Sequence, residues 1–367
     1  MKHLIVRAPN WVGDIVMATP IIEAAIADPR FERVTIVLRE HLADVLSEGP
    51  TGAHLAPIPR GTDEVELLRS LGADGTLLLT NSFGAALRAR RAGIPLRAGA
   101  ALSGRSLLLT HRVLPPRSWG RRAPIPTQHL QRDVAGLLGI EVPSLSPRLH
   151  ISESTLASVE AELLKAGLAP DTQTVFCAPS AAFGAAKLWP PERFAAALDA
   201  LHAEFGLVGL VGGGPGEELQ LQSVVEACRH PVISLEHTRR DLHTLKAMVA
   251  RSELVLVGDS GPRWYAAALD IPCVSVMGPN SPQLTSSALE NCRVVRREDL
   301  ACSPCAQRTC PLGHHACMQG LPVDAIVAAA RELLHGLAST GLASNGPISN
   351  GPISNGTGPK DAGVGAC

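Results

Sequence analysis

The pattern that most restricts this chain is a repeated alternation between short apolar runs and longer amphipathic stretches. The apolar runs are HLIVRA (3–8), VTIVL (34–38), GTLLLT (75–80), TVFCA (174–178), LVGLVG (207–212), PVISL (231–235), LVLVG (254–258) and PCVSVMG (272–278). Several stay apolar on consecutive positions, as parallel strands covered on both faces require. Helical spacing marks 15–28, 154–166, 191–205, 216–229 and 240–251. Strand–helix alternation of this kind predicts an α/β fold with doubly wound parallel sheets.

The alternation runs twice. It weakens after about residue 110 and restarts near 174, with the proline-punctuated GIEVPSLSPRLHISES (139–154) between. A chain of 367 residues has length for two domains. The expected division is an N-terminal domain over 1–155 and a C-terminal domain over 170–338, closed by a helix from Val323 to Leu337. After it, SNGPI occurs twice and a third SNG follows. Gly, Ser, Asn and Pro bury too little area to offset ordering entropy, so 339–367 is expected to be a disordered tail.

A net charge of −1 argues against a general attraction to nucleic acid or membranes; any such attraction must be local. Lys2 gives a positive start, but Arg7, Asn10 and Asp14 interrupt the apolar stretch too early for a secretion signal. No apolar run approaches the ~18 residues of a membrane span. The expectation is a soluble cytoplasmic protein whose nine cysteines are thiols or metal ligands.

Four stretches carry chemistry. In NWVGDIVMATP (10–20), Asp14 follows the first strand and opens a helix, so it should face the crevice outside the strand ends. Gly13 beside it permits close approach. Position alone equally allows a carboxylate that serves only the helix start. In FGAAKLWPPERFAAAL (183–198), Lys187 precedes a helix opened by proline; it either neutralises a phosphate or is a solvated lysine. VGGGPGEE (211–218) is a glycine-rich turn without G-x-G-x-x-G spacing, which makes a nicotinamide oxidoreductase the weakest reading. In LVLVGDSGPRWYAAALDIPCVSVMGPNSP (254–282), Asp259, Ser260 and Gly261 form a tight turn before a helix, suited to an anion.

Two local compositions stand out. Residues 80–135 hold ten arginines, including Arg88, Arg91, Arg97 and Arg105, against one acid, Asp133, and no lysine. Arginine forks match phosphate and carboxylate, so an acidic glycolipid fits better than nucleic acid, for which aromatic partners are few. CSPCAQRTCPLGHHACM (302–318) spaces Cys302, Cys305, Cys310 and Cys317 as C-x2-C-x4-C-x6-C. Four thiolates this close can hold a structural zinc, although the spacing is not that of paired knuckles.

NWVGDIVMATP, NSFGAALRARRAGIP, AAKLWPPERF and DSGP-x-x-x-AAAL-x-IP, in this order and spacing, resemble glycosyltransferase family 9 over about residues 1–337. The resemblance implies two facing Rossmann-like domains of GT-B type with a central cleft, acceptor on the first and nucleotide sugar on the second. It implies inverting, metal-independent transfer of heptose from ADP-heptose to the inner core of lipopolysaccharide, beside the inner membrane, with no nucleic acid involved. On that pattern Asp14 is the general base and Lys187 offsets charge on the departing ADP. Ser180, Thr238, Asp259, Ser260, Gly261 and Trp264 lie on the donor side. Asn10, Arg88, Arg91, Arg97 and Arg105 are taken as the acceptor side. Two positions depart from the pattern: Trp264 stands where histidine is usual and Ser180 where glycine is usual. Those departures keep a non-catalytic or altered-donor relative in view, and a nucleotide-sugar epimerase shares the same two-domain plan.

Overall fold

The computed structural model describes residues 1–118, 121–181, 183–235 and 241–339. Its first sheet contains β1 (His3–Arg7), β2 (Arg33–Arg39), β3 (Leu55–Ile58), β4 (Gly75–Leu78), β5 (Leu96–Ala100) and β6 (His111–Val113), in the order β3-β2-β1-β4-β5-β6. A two-stranded antiparallel pair follows, β7 (Arg117–Ser118) with β8 (Arg121–Arg122). The second sheet contains β9 (Thr174–Ala178), β10 (Val208–Val211), β11 (Val232–Ser234), β12 (Leu254–Gly258), β13 (Cys273–Val276) and β14 (Cys292–Val295). Its order, β11-β10-β9-β12-β13-β14, repeats that of the first. Every pairing within both sheets is parallel. This is the doubly wound order, and its ligand crevice lies where strand order reverses. Here those points are β1/β4 and β9/β12.

The helices of the first half are α1 (Val12–Ala27), α2 (Glu64–Leu71), α3 (Phe83–Arg91) and α4 (Thr127–Gly136). After the connecting α5 (Glu153–Lys165) come α6 (Pro191–Phe205), α7 (Glu218–Ala227), α8 (Leu242–Ala250), α9 (Pro262–Ala268), α10 (Ala316–Gln319) and α11 (Val323–Ser339). Local sequence explains their ends. Asp63, Ser152 and Asp241 cap α2, α5 and α8 by accepting from Val65, Thr155 and Thr244 N–H. Pro191 opens α6, and Gly206 closes it in the left-handed conformation. Trp11, before α1, makes no side-chain cap, and the one acid in that helix's first turn is Asp14.

β1, β9 and β12 are buried at all five positions, as their largely apolar runs require, with His3, Arg7 and Thr174 the buried polar residues among them. The sequence reading misses β3, β5, β6 and β14. They lie towards the sheet margins, where coverage is thinner, and carry a proline (Pro57), small residues or an arginine in place of a continuous apolar run.

The two halves are joined in two ways. One apolar cluster runs from Leu4 and Ile15 through Trp264 and Tyr265 to Val255. Beside it, Lys246 on α8 donates to Glu48 Oε2 at 2.7 Å and to the His150 carbonyl at 2.9 Å. Glu48 also accepts from Ser152 Oγ at 2.8 Å and Thr155 Oγ1 at 2.6 Å. Burial alone would raise the Glu48 carboxyl, but the hydrogen bonds from Lys246, Thr155 and Ser152 bring it down to about 2. Among the described residues no helix is long and apolar enough to cross a membrane. The tail expected beyond Ser339 lies outside the described residues.

Candidate active site

Asp14 sits in the first turn of α1, just past the carboxyl end of β1 at the β1/β4 switch point. The carboxyl is half-buried and pushed up to about 6, mainly by burial, with the Lys187 charge pulling the other way. That opposing pull places the lysine of the second half within electrostatic reach of the acid of the first. A carboxylate of this kind is mostly ionised at neutral pH and more basic than an ordinary one.

Lys187 ends a 3₁₀ turn, Ala185–Lys187, after β9. It is buried, not a solvated surface lysine. Its Nζ lies 2.7 Å from Asp259 Oδ2 and donates to the Asp259 carbonyl at 3.0 Å. The same Oδ2 accepts from Asn280 Nδ2 at 2.5 Å. The ion pair therefore spans the β9/β12 switch point, and Asp259 holds the lysine in place. Two buried hydroxyls at the same strand ends, Ser180 Oγ and Ser260 Oγ, have no hydrogen-bond partner among the described residues. Orphaned buried donors of this kind fit a ligand that supplies acceptor oxygens. Deeper along the second sheet, the glycine-rich turn lines a groove with Phe176, Gly213, Asp241, Thr244 and Met248. Thr238, expected on the donor side, lies outside the described residues.

Trp264, expected on the donor side, packs against the first half. Its ring is buried and turned towards the first half: a Cβ built on Gly13 would lie 2.6 Å from its Cδ1. Gly261 also meets the first half, with a built Cβ 3.3 Å from Val12. These residues therefore form a seam between the starts of α1 and α9.

The acceptor-side residues divide into two groups. Asn10 accepts from Arg7 at 3.3 Å and donates to Thr80 Oγ1 at 3.3 Å, on the floor of the β1/β4 crevice. Glu64 bridges Arg7 and Arg88, each at 2.8 Å. Arg91 is exposed at the end of α3. The structure corrects the expectation for Arg97 and Arg105. Arg97 turns back onto the carbonyls of Leu108, Ile94 and Pro95. Arg105 is fully buried, with its donors committed to the Ala100 and Thr80 carbonyls and to Asn81 Oδ1. Burial and these three bonds leave Arg105 no exposed fork for an acidic ligand, and Arg97 spends its Nε and Nη1 donors on carbonyls.

The cysteine-rich segment braces the lysine loop. Ala186 N–H donates to the Arg308 carbonyl at 3.0 Å, and His315 Nε2 lies 2.8 Å from the Ala186 carbonyl. Cys310 Sγ accepts from the His315 amide at 3.4 Å. Among the described residues no three His, Cys, Asp or Glu side chains are grouped to hold a metal ion, so a structural zinc at Cys302, Cys305, Cys310 and Cys317, which the spacing allows, finds no support.

The family model "Glycosyltransferase family 9 (heptosyltransferase)" matches residues 65–316. The chain belongs to glycosyltransferase family 9. Among curated relatives, lipopolysaccharide heptosyltransferase 2 of Salmonella typhimurium is 27% identical over 315 residues, 81% of this chain and 88% of that protein. Lipooligosaccharide heptosyltransferase 2 of Campylobacter jejuni is 32% identical over 160 residues, 42% of this chain, and the match spans 49% of that relative, about half its length. In fold, the structure of E. coli ADP-heptose LPS heptosyltransferase II matches with TM-score 0.73 at 24% identity, covering 92% of this chain and all of that one.

Some site residues of this family 9 chain are not evident from sequence. Glu64 and Arg7 carry a signal in hindsight, since Arg7 is a charge ending an otherwise apolar strand. Asn280 lies in a turn whose sequence, GPNSP, marks only a bend.

Proposed function

We propose that this protein is an inverting, metal-independent heptosyltransferase using ADP-heptose as donor and the inner core of lipopolysaccharide as acceptor. One observation carries the reading: a burial-raised carboxylate from the first half lies within electrostatic reach of a held lysine from the second. The acceptor hydroxyl oxygen attacks the anomeric carbon of the heptose, and Asp14 takes the hydroxyl proton as the new bond forms. The bond from the anomeric carbon to the β-phosphate oxygen breaks, and its electron pair leaves with ADP. Lys187, steadied by Asp259 and Asn280, offsets that growing negative charge, the task a divalent metal performs elsewhere. Ser180 and Ser260 offer hydroxyl donors to the diphosphate or sugar.

Arg88 and Arg91 on α3 suit an acidic core sugar or phosphate. Trp11, Phe83 and Leu107 are exposed apolar side chains on segments that follow β1, β4 and β5, on the carboxyl-end side of the first sheet. Their placement beside the acceptor crevice supports peripheral contact with the membrane that carries a lipid-anchored acceptor, on the cytoplasmic face of the inner membrane.

The test is an assay of the full chain with ADP-heptose and a core acceptor carrying one heptose, in chelator and with added magnesium. The expected result is a heptosylated product of inverted anomeric configuration, formed at the same rate in both. Donor consumption without acceptor points to an epimerase, and donor binding without any turnover to a non-catalytic relative.

A further inference from the structure

Trp264 passes between the halves. It sits on α9, and its indole meets the backbone of Gly13, leaving no room for even a methyl group there. The ring is itself held. Arg263 is buried, its guanidinium carbon lies 5.1 Å from the indole centre, and it donates to Thr285 Oγ1 at 3.2 Å and to the Thr285 carbonyl at 2.8 Å. A line of contact therefore runs from Thr285 through Arg263 and Trp264 to Gly13, and Gly13 adjoins Asp14. α1 has no side-chain cap at Trp11, so its first turn is held by packing and by Gln131 Nε2, which donates to the Asp14 carbonyl at 3.4 Å.

We propose that Trp264 is a positioning residue for Asp14: its indole, anchored in the second half, fixes the first turn of α1 and excludes water beside it. This rests on Asp14 being the catalytic base. Burial is the leading reason the Asp14 carboxyl stands at about 6, and the seam closed by Trp264 is an apolar surface beside it. Other charges do not account for the shift. α9 offers Arg263, α4 offers His129, Arg132 and Asp133, and β2 offers Arg39. The turn after β2 adds Glu40, His41 and Asp44. The charge that acts on Asp14 is Lys187, and it lowers the carboxyl. In this reading the second half does more than hold the donor; it also sets the basicity of the acid across the cleft.

The experiment titrates the aspartate carboxyl carbons of the full chain by 13C NMR, with Asp14→Asn assigning the signal, in the parent, Trp264→Phe and Trp264→Ala. The Asp14 midpoint is expected near 6 in the parent and close to it in Trp264→Phe. In Trp264→Ala it should fall by about one unit as water reaches the carboxylate, and the acid limb of kcat/KM should fall with it. An unmoved midpoint in Trp264→Ala overturns the proposal, and a raised donor KM with that unmoved midpoint assigns Trp264 to the donor instead. If Trp264→Ala does not fold, Gly13→Ala displaces the ring from the other side, and an unmoved midpoint there overturns it equally. Full activity of Asp14→Asn refutes the base assignment while leaving the titration result to stand or fall alone.

Discussion

The two halves use one strand order and opposite chemistry. At β1/β4 the first half presents an acid whose charge is disfavoured by burial, over a floor of Arg7, Asn10, Glu64 and Arg88 bonded to one another. At β9/β12 the second half presents a lysine whose charge is secured by Asp259, beside two hydroxyls without a partner among the described residues. The fold supplies the same crevice twice. The two crevices differ in their partners: the first is floored by an ion-paired network around Glu64, and the second carries buried hydroxyls open to a ligand.

The sharpest way to break this contrast is to remove the acid. Asp14→Asn should lower kcat by roughly 10²–10⁴ while donor KM changes little, because the second crevice is untouched; initial rates with saturating acceptor measure it. Next, Lys246→Met removes the buried cation that ties Glu48 to the second half, and chemical denaturation should show a loss of about 3–5 kcal/mol. Lys187→Met tests the second crevice. It should cost about 10²–10³ in kcat and weaken ADP binding, read by kinetics and calorimetry, with Asp14 then titrating higher for want of its nearby cation.

The smallest effect concerns stability and pH. The folded Asp14 carboxyl, at about 6, binds its proton more tightly than the unfolded one at 3.8, so the protein loses stability as pH rises through that window. Asp14→Asn escapes this loss. It should be more stable than the parent by about 1–2 kcal/mol above pH 6, after allowance for solvent screening, with the gap closing by about pH 4 in thermal melts. A parent equal in stability to the variant at both ends would mean the acid is not strained by burial.

Much of this was legible in the chain. β1, β9 and β12 announce themselves because buried parallel strands are mostly apolar on consecutive positions, while Asp14 and Lys187 stand out only through the motifs of the family resemblance. β3, β5 and β14 were illegible, since a marginal strand needs less apolar area and can carry Pro57, Arg97 or Arg293. The arginine-rich region misled for a related reason. Composition counts charges, but Arg97 and Arg105 turn inward onto carbonyls that only the folded backbone brings near. Nor does any local pattern join Glu48 to Lys246, 198 positions apart.

The apolar cluster that passes through α1 and α9 has a practical corollary for engineering. Recombining this chain with a cousin of different sugar preference cannot treat the halves as interchangeable cassettes. A graft that replaces Gly261 to Trp264 without its counterpart at Val12 and Gly13 would mismatch the joint and shift Asp14 along with it. The unit of inheritance here is the seam.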